Sequence, residues 1–464
     1  MKHLIDLQDE MSRKRRFPSH DDGSPDELHN INVPTFISQS CGTELKTVEM
    51  HTCGEPTRIV YSGYPDLPYA LPTVTPMYPL SDLQSGTLLE QREYAMSHHD
   101  NLRRALICEP RGHRDMYGAV LCWRTELTET GKAHTGVLFL TNDGYSTMCG
   151  HATLALGRLI VDQAGSGEKK LFDLGMSKDL MYDPKTQTMA VDLHVPCGLV
   201  SLQVPVVFIG TDTWKVDTSR MISYQGTPSW FSDSTFLSFS EPATRWPELG
   251  DREEVNFGIA YGGAFYIMVE AKRLGFTASD LENITPSGLA ALSNATRLLK
   301  EEFNRRLVEW PETRRMWLRH PDYKDDHTLY GVIVTARPSS TGQDTYSNLP
   351  PNAESGICFF ANQQVDRSPT GSGAQARVAL GWSLADPHPE PRTFHSPVSW
   401  AYGGEGAFVA EVVGHKRLGN VSQGVKVKIS GKARYTGVSS FVVEDDDEIG
   451  KGFWFDELGK RSES

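Results

Sequence analysis

The sequence has no apolar run approaching the roughly 20 residues that span a bilayer, which excludes a transmembrane helix. It has no C-x-x-C pair. Its seven cysteines, Cys41, Cys53, Cys108, Cys122, Cys149, Cys197 and Cys358, are scattered and odd in number. That pattern suits a reducing compartment and not a disulfide framework or zinc ribbon. Positive charge is scarce as well: 46 Lys and Arg stand against 59 Asp and Glu, a formal charge of −13. Such a balance leaves no broad basic surface to neutralise phosphates, so no nucleic acid is expected as a partner and a small molecule is. The first ten residues lack the apolar core of a secretory signal, and Asp6, Asp9 and Glu10 do not suit an acid-poor transit peptide. The expected location is cytoplasmic, with Arg13 to Arg16 read as a solvated linker.

What is present is an ordinary soluble composition, 39% hydrophobic and 23% charged, over 464 residues. That length suits two or three domains of about 100 to 200 residues each. Residues 1–45 read as a disordered or extended N-terminal tail, because 17–44 are rich in Ser, Asp, Pro and Gly without apolar periodicity. Strands are expected at Thr57 to Tyr61, Ala105 to Cys108 and Val137 to Leu140, then a helix from about Gly150 to Asp162 stopped by Gly165. Leu199 to Ile209 is nearly continuous β-forming sequence and is expected to hand the chain to a second lobe. Thr285-Pro286 followed by Leu289, Leu292, Leu299, Phe303 and Leu307 predicts a capped amphipathic helix. Stretches 222–253 and 310–327 read as loop insertions, and Glu444 to Glu448 as a solvated acidic run.

Two segments are worn copies of one another: Thr147-Met148-Cys149-Gly150-His151-Ala152-Thr153-Leu154-Ala155 and Ser368-Pro369-Thr370-Gly371-Ser372-Gly373-Ala374-Gln375-Ala376. Aligned on the shared glycine, Cys149 faces Thr370. Each follows an apolar strand-like run, Val137 to Leu140 or Gly356 to Ala361, and each opens a helix-like stretch. Helix starts expose free backbone N–H groups and the positive end of the dipole, so an anion can bind there and a thiolate is favoured. One copy carries a usable base and the other an alcohol. Gly371-Ser372-Gly373-Ala374-Gln375-Ala376 fits a loose dinucleotide fingerprint, but Asn362 to Thr370 separate its first glycine from the strand run, so no nucleotide cofactor is expected. Cys149 with His151, or His51 with Cys53, lacks zinc-site spacing, so no metal is expected either.

Four signatures in one order now carry a resemblance: His51-Thr52-Cys53-Gly54-Glu55-Pro56, Met148-Cys149-Gly150-His151, Tyr261-Gly262-Gly263-Ala264-Phe265-Tyr266 and Asp366-Arg367-Ser368-Pro369-Thr370-Gly371-Ser372-Gly373. Over roughly residues 47 to 445 the chain resembles the proline racemase superfamily. Racemases and hydroxyproline 2-epimerases of that family have cysteine at both catalytic positions. Its trans-3-hydroxy-L-proline dehydratases keep the first and have threonine at the second, which is the pattern here. The resemblance implies an α/β fold of the diaminopimelate-epimerase type: two similar lobes, each a curved sheet around a central helix, with the active site in the cleft between them. Residues 46–200 plus about 401–450 would form the lobe of the Cys149 motif, and 201–400 that of Thr370.

The resemblance further implies Cys149 as the base, and Gly150, His151, Gly371 and Ser372 lining a carboxylate site through their backbone N–H groups. Asp366 would contact the ring nitrogen, Phe360 would wall the pyrrolidine ring, Thr370 would border the substrate, and the enzyme would be a cofactor-independent homodimer. Racemisation needs proton transfer on both faces of Cα, and a threonine alcohol is too weak an acid to supply the second. With a 3-hydroxyl present, the expected exit is loss of water. A racemase or epimerase with another second acid is the nearest alternative, and a non-catalytic amino-acid binding protein the next; the retained Cys149 speaks against the latter.

Overall fold

The computed structural model describes residues 42–68, 87–167, 170–173, 176, 178–320, 328–337, 353–383, 390–418, 421–455 and 458. One pairing pattern occurs twice along the chain. In the first half Glu55–Ser62 runs parallel to Gly118–Cys122, which pairs antiparallel with Thr135–Leu140, which lies parallel to Thr188–Val195. In the second half Phe265–Glu270 runs parallel to Leu329–Ala336, which pairs antiparallel with Ala353–Phe360, which lies parallel to Arg392–His395. The third strand of each set folds back in a short hairpin, Leu140 opposite Tyr145 and Phe360 opposite Gln364. Each hairpin then releases the chain into a helix, Gly150–Gly165 or Gly371–Ser383.

Both helices are apolar or small on nearly every face, as a helix enclosed by strands must be. Ala152, Leu154, Ala155, Leu156, Ile160 and Val161 are fully buried in the first, and Ala374, Ala376 and Ala379 are buried in the second. The first packs against Thr43–Thr52, Glu55–Ser62, Gly198–Phe208, Ile222–Gln225 and Ala433–Val443. The second packs against Trp230–Ser238, Glu254–Tyr261, Phe408–Leu418 and Val421–Gly431. The two also touch each other, and one hydrophobic core runs through both. The architecture is the expected α/β fold with a helix at the centre of each half.

Several local expectations are corrected. Ala105 to Cys108, expected as a strand, ends the helix Asp100–Ile107: Leu102, Ala105 and Leu106 fall at helical spacing on its buried face, a period that a four-residue window hides. The first strand begins at Thr43, so the chain enters the sheet before residue 46, with Leu45 fully buried opposite Phe441. Residues 1–41, including Arg13 to Arg16, lie outside the described residues. The stretch 222–253 is not an insertion loop: it supplies strands Ile222–Gln225 and Trp230–Ser238, with Trp230 and Leu237 in the core. Of 310–327, Pro311–Trp317 is helical and 321–327 lie outside the described residues.

Residue 200, the expected handover between lobes, falls inside Gly198–Phe208. That strand pairs with Thr188–Val195 and Ile222–Gln225, both against the Cys149 helix, while Phe408–Leu418 reaches the Thr370 helix. The capped helix is found as Pro286–Glu309, with the Thr285 side chain accepting from Gly288 N at 3.1 Å. No helix among the described residues is long and apolar enough to cross a membrane.

Candidate active site

The two helix starts meet face to face. A Cβ added at Gly150 would lie 2.5 Å from the Gly371 Cα, and one added at Gly371 would lie 2.7 Å from the Gly150 Cα. Only glycine permits that approach. The Tyr224 hydroxyl closes the junction, 2.5 Å from either added Cβ, and accepts from Gln375 Nε2 at 3.1 Å. Free N–H groups of both helices therefore converge on one point, a setting for an anion such as a carboxylate.

Cys149 is the N-cap of its helix, and its Sγ accepts from Ala152 N at 3.4 Å. Burial pushes the thiol well above its ordinary range; the Tyr117 hydroxyl and the Ala152 N–H oppose the rise, and the Asp366 and Glu55 carboxylates add to it. The His151 ring lies beside it, Nδ1 at 3.3 Å and Nε2 at 3.4 Å from Sγ. Burial lowers His151 to about 3, so its imidazole is neutral and the pair is not an ion pair.

Across from the thiol stand two buried carboxylates. Asp366 is 3% exposed and accepts from Ser368 N at 2.7 Å, and burial raises it to about 6. Glu55 accepts from Arg367 N at 2.7 Å through Oε2, and burial holds it well above the carboxylate range. Its Oε1 is buried without a hydrogen-bond partner. A buried polar atom is rarely left so, and this one marks a place for a polar ligand. Glu55, His151 and Asp366 each bring a ligand atom within 4.8 Å of the others, a donor set that suits a metal ion or an organic ammonium alike.

The structure thus gathers Cys149, Gly150, His151, Asp366, Thr370, Gly371 and Ser372 at one junction. Thr370 is 6% exposed and holds φ at +62°, a conformation uncommon for a β-branched residue and met at functional sites. The Ser372 hydroxyl is bonded to Tyr266 Oη at 2.7 Å. Phe360 stacks on Tyr330 with centroids 5.3 Å apart and lies 6.1 Å from the Tyr117 ring, one wall of an aromatic group around His151 and Cys149. Sequence reasoning missed Glu55, Tyr117, Tyr224 and Tyr266. Glu55 and Tyr266 lay within quoted signatures without a role, whereas Tyr117 and Tyr224 carry no local signal.

The proline racemase family profile matches residues 47–454, and the chain belongs to that family. Among its relatives, it is 36% identical over 426 residues to a trans-L-3-hydroxyproline dehydratase of Bos taurus, covering 91% of this chain and 98% of that protein. It is 36% identical over 428 residues to the trans-3-hydroxy-L-proline dehydratase of Homo sapiens, covering 91% and 98%. In fold it is similar to a hydroxyproline epimerase from Agrobacterium vitis with bound trans-4-hydroxy-L-proline: TM-score 0.63, 19% identity, 89% of this chain and 94% of that one.

Proposed function

We propose that the protein removes water from trans-3-hydroxy-L-proline to give Δ1-pyrroline-2-carboxylate, with Cys149 as its base. One observation carries the reading: of the two abutting helix starts, one is capped by a thiol and the other follows an alcohol. The dehydratase relatives support the same reaction.

The substrate is a zwitterion, and the site offers a partner for each end. Its carboxylate takes the N–H groups at Gly150, His151, Gly371 and Ser372. Its ring ammonium takes Asp366 and the free Glu55 Oε1. Both carboxylates hold the thiol up, so an ammonium placed between them removes that resistance to thiolate formation. In the trans isomer the Cα hydrogen and the 3-hydroxyl lie on one face of the ring. Cys149 removes the Cα proton, the electron pair forms the C2–C3 double bond, the C3–O bond breaks, and the thiol returns its proton to the leaving hydroxide as water. The enamine tautomerises to the cyclic imine, and the thiolate is regenerated.

No cofactor enters this balance. We read the active form as a cytoplasmic homodimer, on the family resemblance and the scattered cysteines. The test is purified protein with trans-3-hydroxy-L-proline and no added cofactor, followed by o-aminobenzaldehyde trapping. Imine is expected, and its absence overturns the assignment. Chiral analysis of proline and 3-hydroxyproline in the same reactions separates dehydration from racemisation or epimerisation.

A further inference from the structure

The Asp366 carboxylate is held in place by the half of the molecule that does not carry it. Its own N–H stays within the second half and donates to Cys358 O at 3.0 Å. The N–H groups on either side of it cross to carboxylates of the first half. Arg367 N donates to Glu55 Oε2 at 2.7 Å, and Val365 N donates to Asp115 Oδ1 at 2.9 Å. The other Asp115 oxygen, Oδ2, accepts from Arg367 Nη2 at 2.8 Å, while Arg367 Nη1 turns back to Val365 O at 2.6 Å. Asp115 thus grips the residue before Asp366 by its backbone and the residue after it by its side chain. The same two segments are joined once more by Gln364 Nε2, which donates to Met116 O at 2.9 Å.

A binding carboxylate works only where its backbone is fixed, and neighbouring hydrogen bonds are what fix it. Ser368 N already holds Asp366 Oδ1 at 2.7 Å, so what remains to be set is the path of residues 365–367. Resting on the dehydratase reading, we propose that Asp115 is a positioning residue: it holds that path so that the Asp366 carboxylate meets the substrate ammonium. The ammonium subsite then belongs to both halves, with Glu55 and Asp115 from the first and Asp366 from the second. Both Asp115 oxygens are taken by Val365 and Arg367, so its role is exercised through Asp366. Cys149 caps a helix of the first half and does not depend on this grip. Loss of Asp115 therefore falls on binding and leaves turnover at saturation in place. No covalent bond is made or broken by this contact.

The test is Asp115→Ala, Arg367→Ala and the double variant, with KM and kcat for trans-3-hydroxy-L-proline measured beside thermal stability. Asp115→Ala is expected to raise KM about 10-fold with kcat within about three-fold. That is the lower end for a hydrogen bond to a charged group, because the two side chains are 20% and 33% exposed. Arg367→Ala raises KM less, since Val365 N keeps its acceptor. The double variant binds within about two-fold of Asp115→Ala, because the two substitutions remove one shared contact. A role in stability alone lowers the melting temperature without separating KM from kcat. KM unchanged in Asp115→Ala, kcat lowered as far as KM is raised, or effects that multiply in the double variant overturn the proposal. Should Asp115→Ala fail to fold, Asp115→Asn keeps the side-chain shape and an oxygen for Val365 N while removing the charge beside Arg367. In that variant a KM raised at least about three-fold supports the proposal, and an unchanged one overturns it. Wild-type protein that forms no imine contradicts the dehydratase reading instead, so the two failures are distinct.

Discussion

Replacing Gly150 with alanine tests whether the two helix starts build one site. Alanine is the better helix former by about 1 kcal/mol, so at an ordinary helical position the substitution stabilises. Here the new Cβ stands 2.5 Å from the Gly371 Cα, whereas ordinary contact begins at 3.4 Å. The obstacle is backbone, so the helices must part by about 0.9 Å. Overpacking of this kind costs about 1 to 3 kcal/mol. A misplacement near 1 Å between groups that act on one substrate costs about 100-fold in rate. The expected variant is folded by circular dichroism, melts a few degrees lower, and loses about 100-fold in kcat/KM for imine formation. Gly437→Ala is the control, since nothing lies within 4 Å of its added Cβ. A Gly150→Ala enzyme as stable and as active as the parent refutes the shared site.

Burial raises Asp366 to about 6, and it must be ionised to receive the ring ammonium, so kcat/KM should fall as pH drops through about 6, and Asp366→Asn should lose that part of the limb and keep the part set by Glu55, which burial also raises. The sign for stability is opposite: the folded value lies above the ordinary 3.8, so Asp366 favours folding below 3.8 and that contribution is lost as pH rises through about 6. Urea unfolding of parent and Asp366→Asn at pH 4 and 8 should diverge toward pH 8, with the variant the more stable. L-proline, which has no leaving group, should exchange its Cα hydrogen in D2O slowly and with retained configuration; accumulation of D-proline by chiral chromatography contradicts a one-sided base. Dialysis against EDTA should leave imine formation unchanged, and a loss restored by zinc would assign Glu55, His151 and Asp366 to a metal.

The helix starts were legible because small residues and a shared glycine repeat in order at Cys149 and Thr370. The strands before them were legible because Val137 to Leu140 and Gly356 to Ala361 are unbroken apolar runs. Asp100–Ile107 was hidden because its buried face is spread over eight residues, of which the apolar cluster at the end imitates a strand. Trp230–Ser238 was hidden because its middle, Phe231 to Phe236, is not fully buried, so polar side chains interrupt its apolar pattern. In the site, what local sequence cannot supply is approach across the fold: Tyr224 comes from 151 residues before Gln375, and Glu55 meets Arg367 across 312 residues.

The central claim is that Cys149 serves as both base and acid on one face of the ring and that Thr370 is not the acid. Imine formation at saturating trans-3-hydroxy-L-proline by Cys149→Ala and Thr370→Ala tests it most directly. Cys149→Ala is expected to lose turnover altogether, and Thr370→Ala to keep a kcat near the parent's with a raised KM. A folded Thr370→Ala enzyme that binds substrate yet fails to eliminate as completely as Cys149→Ala contradicts the claim.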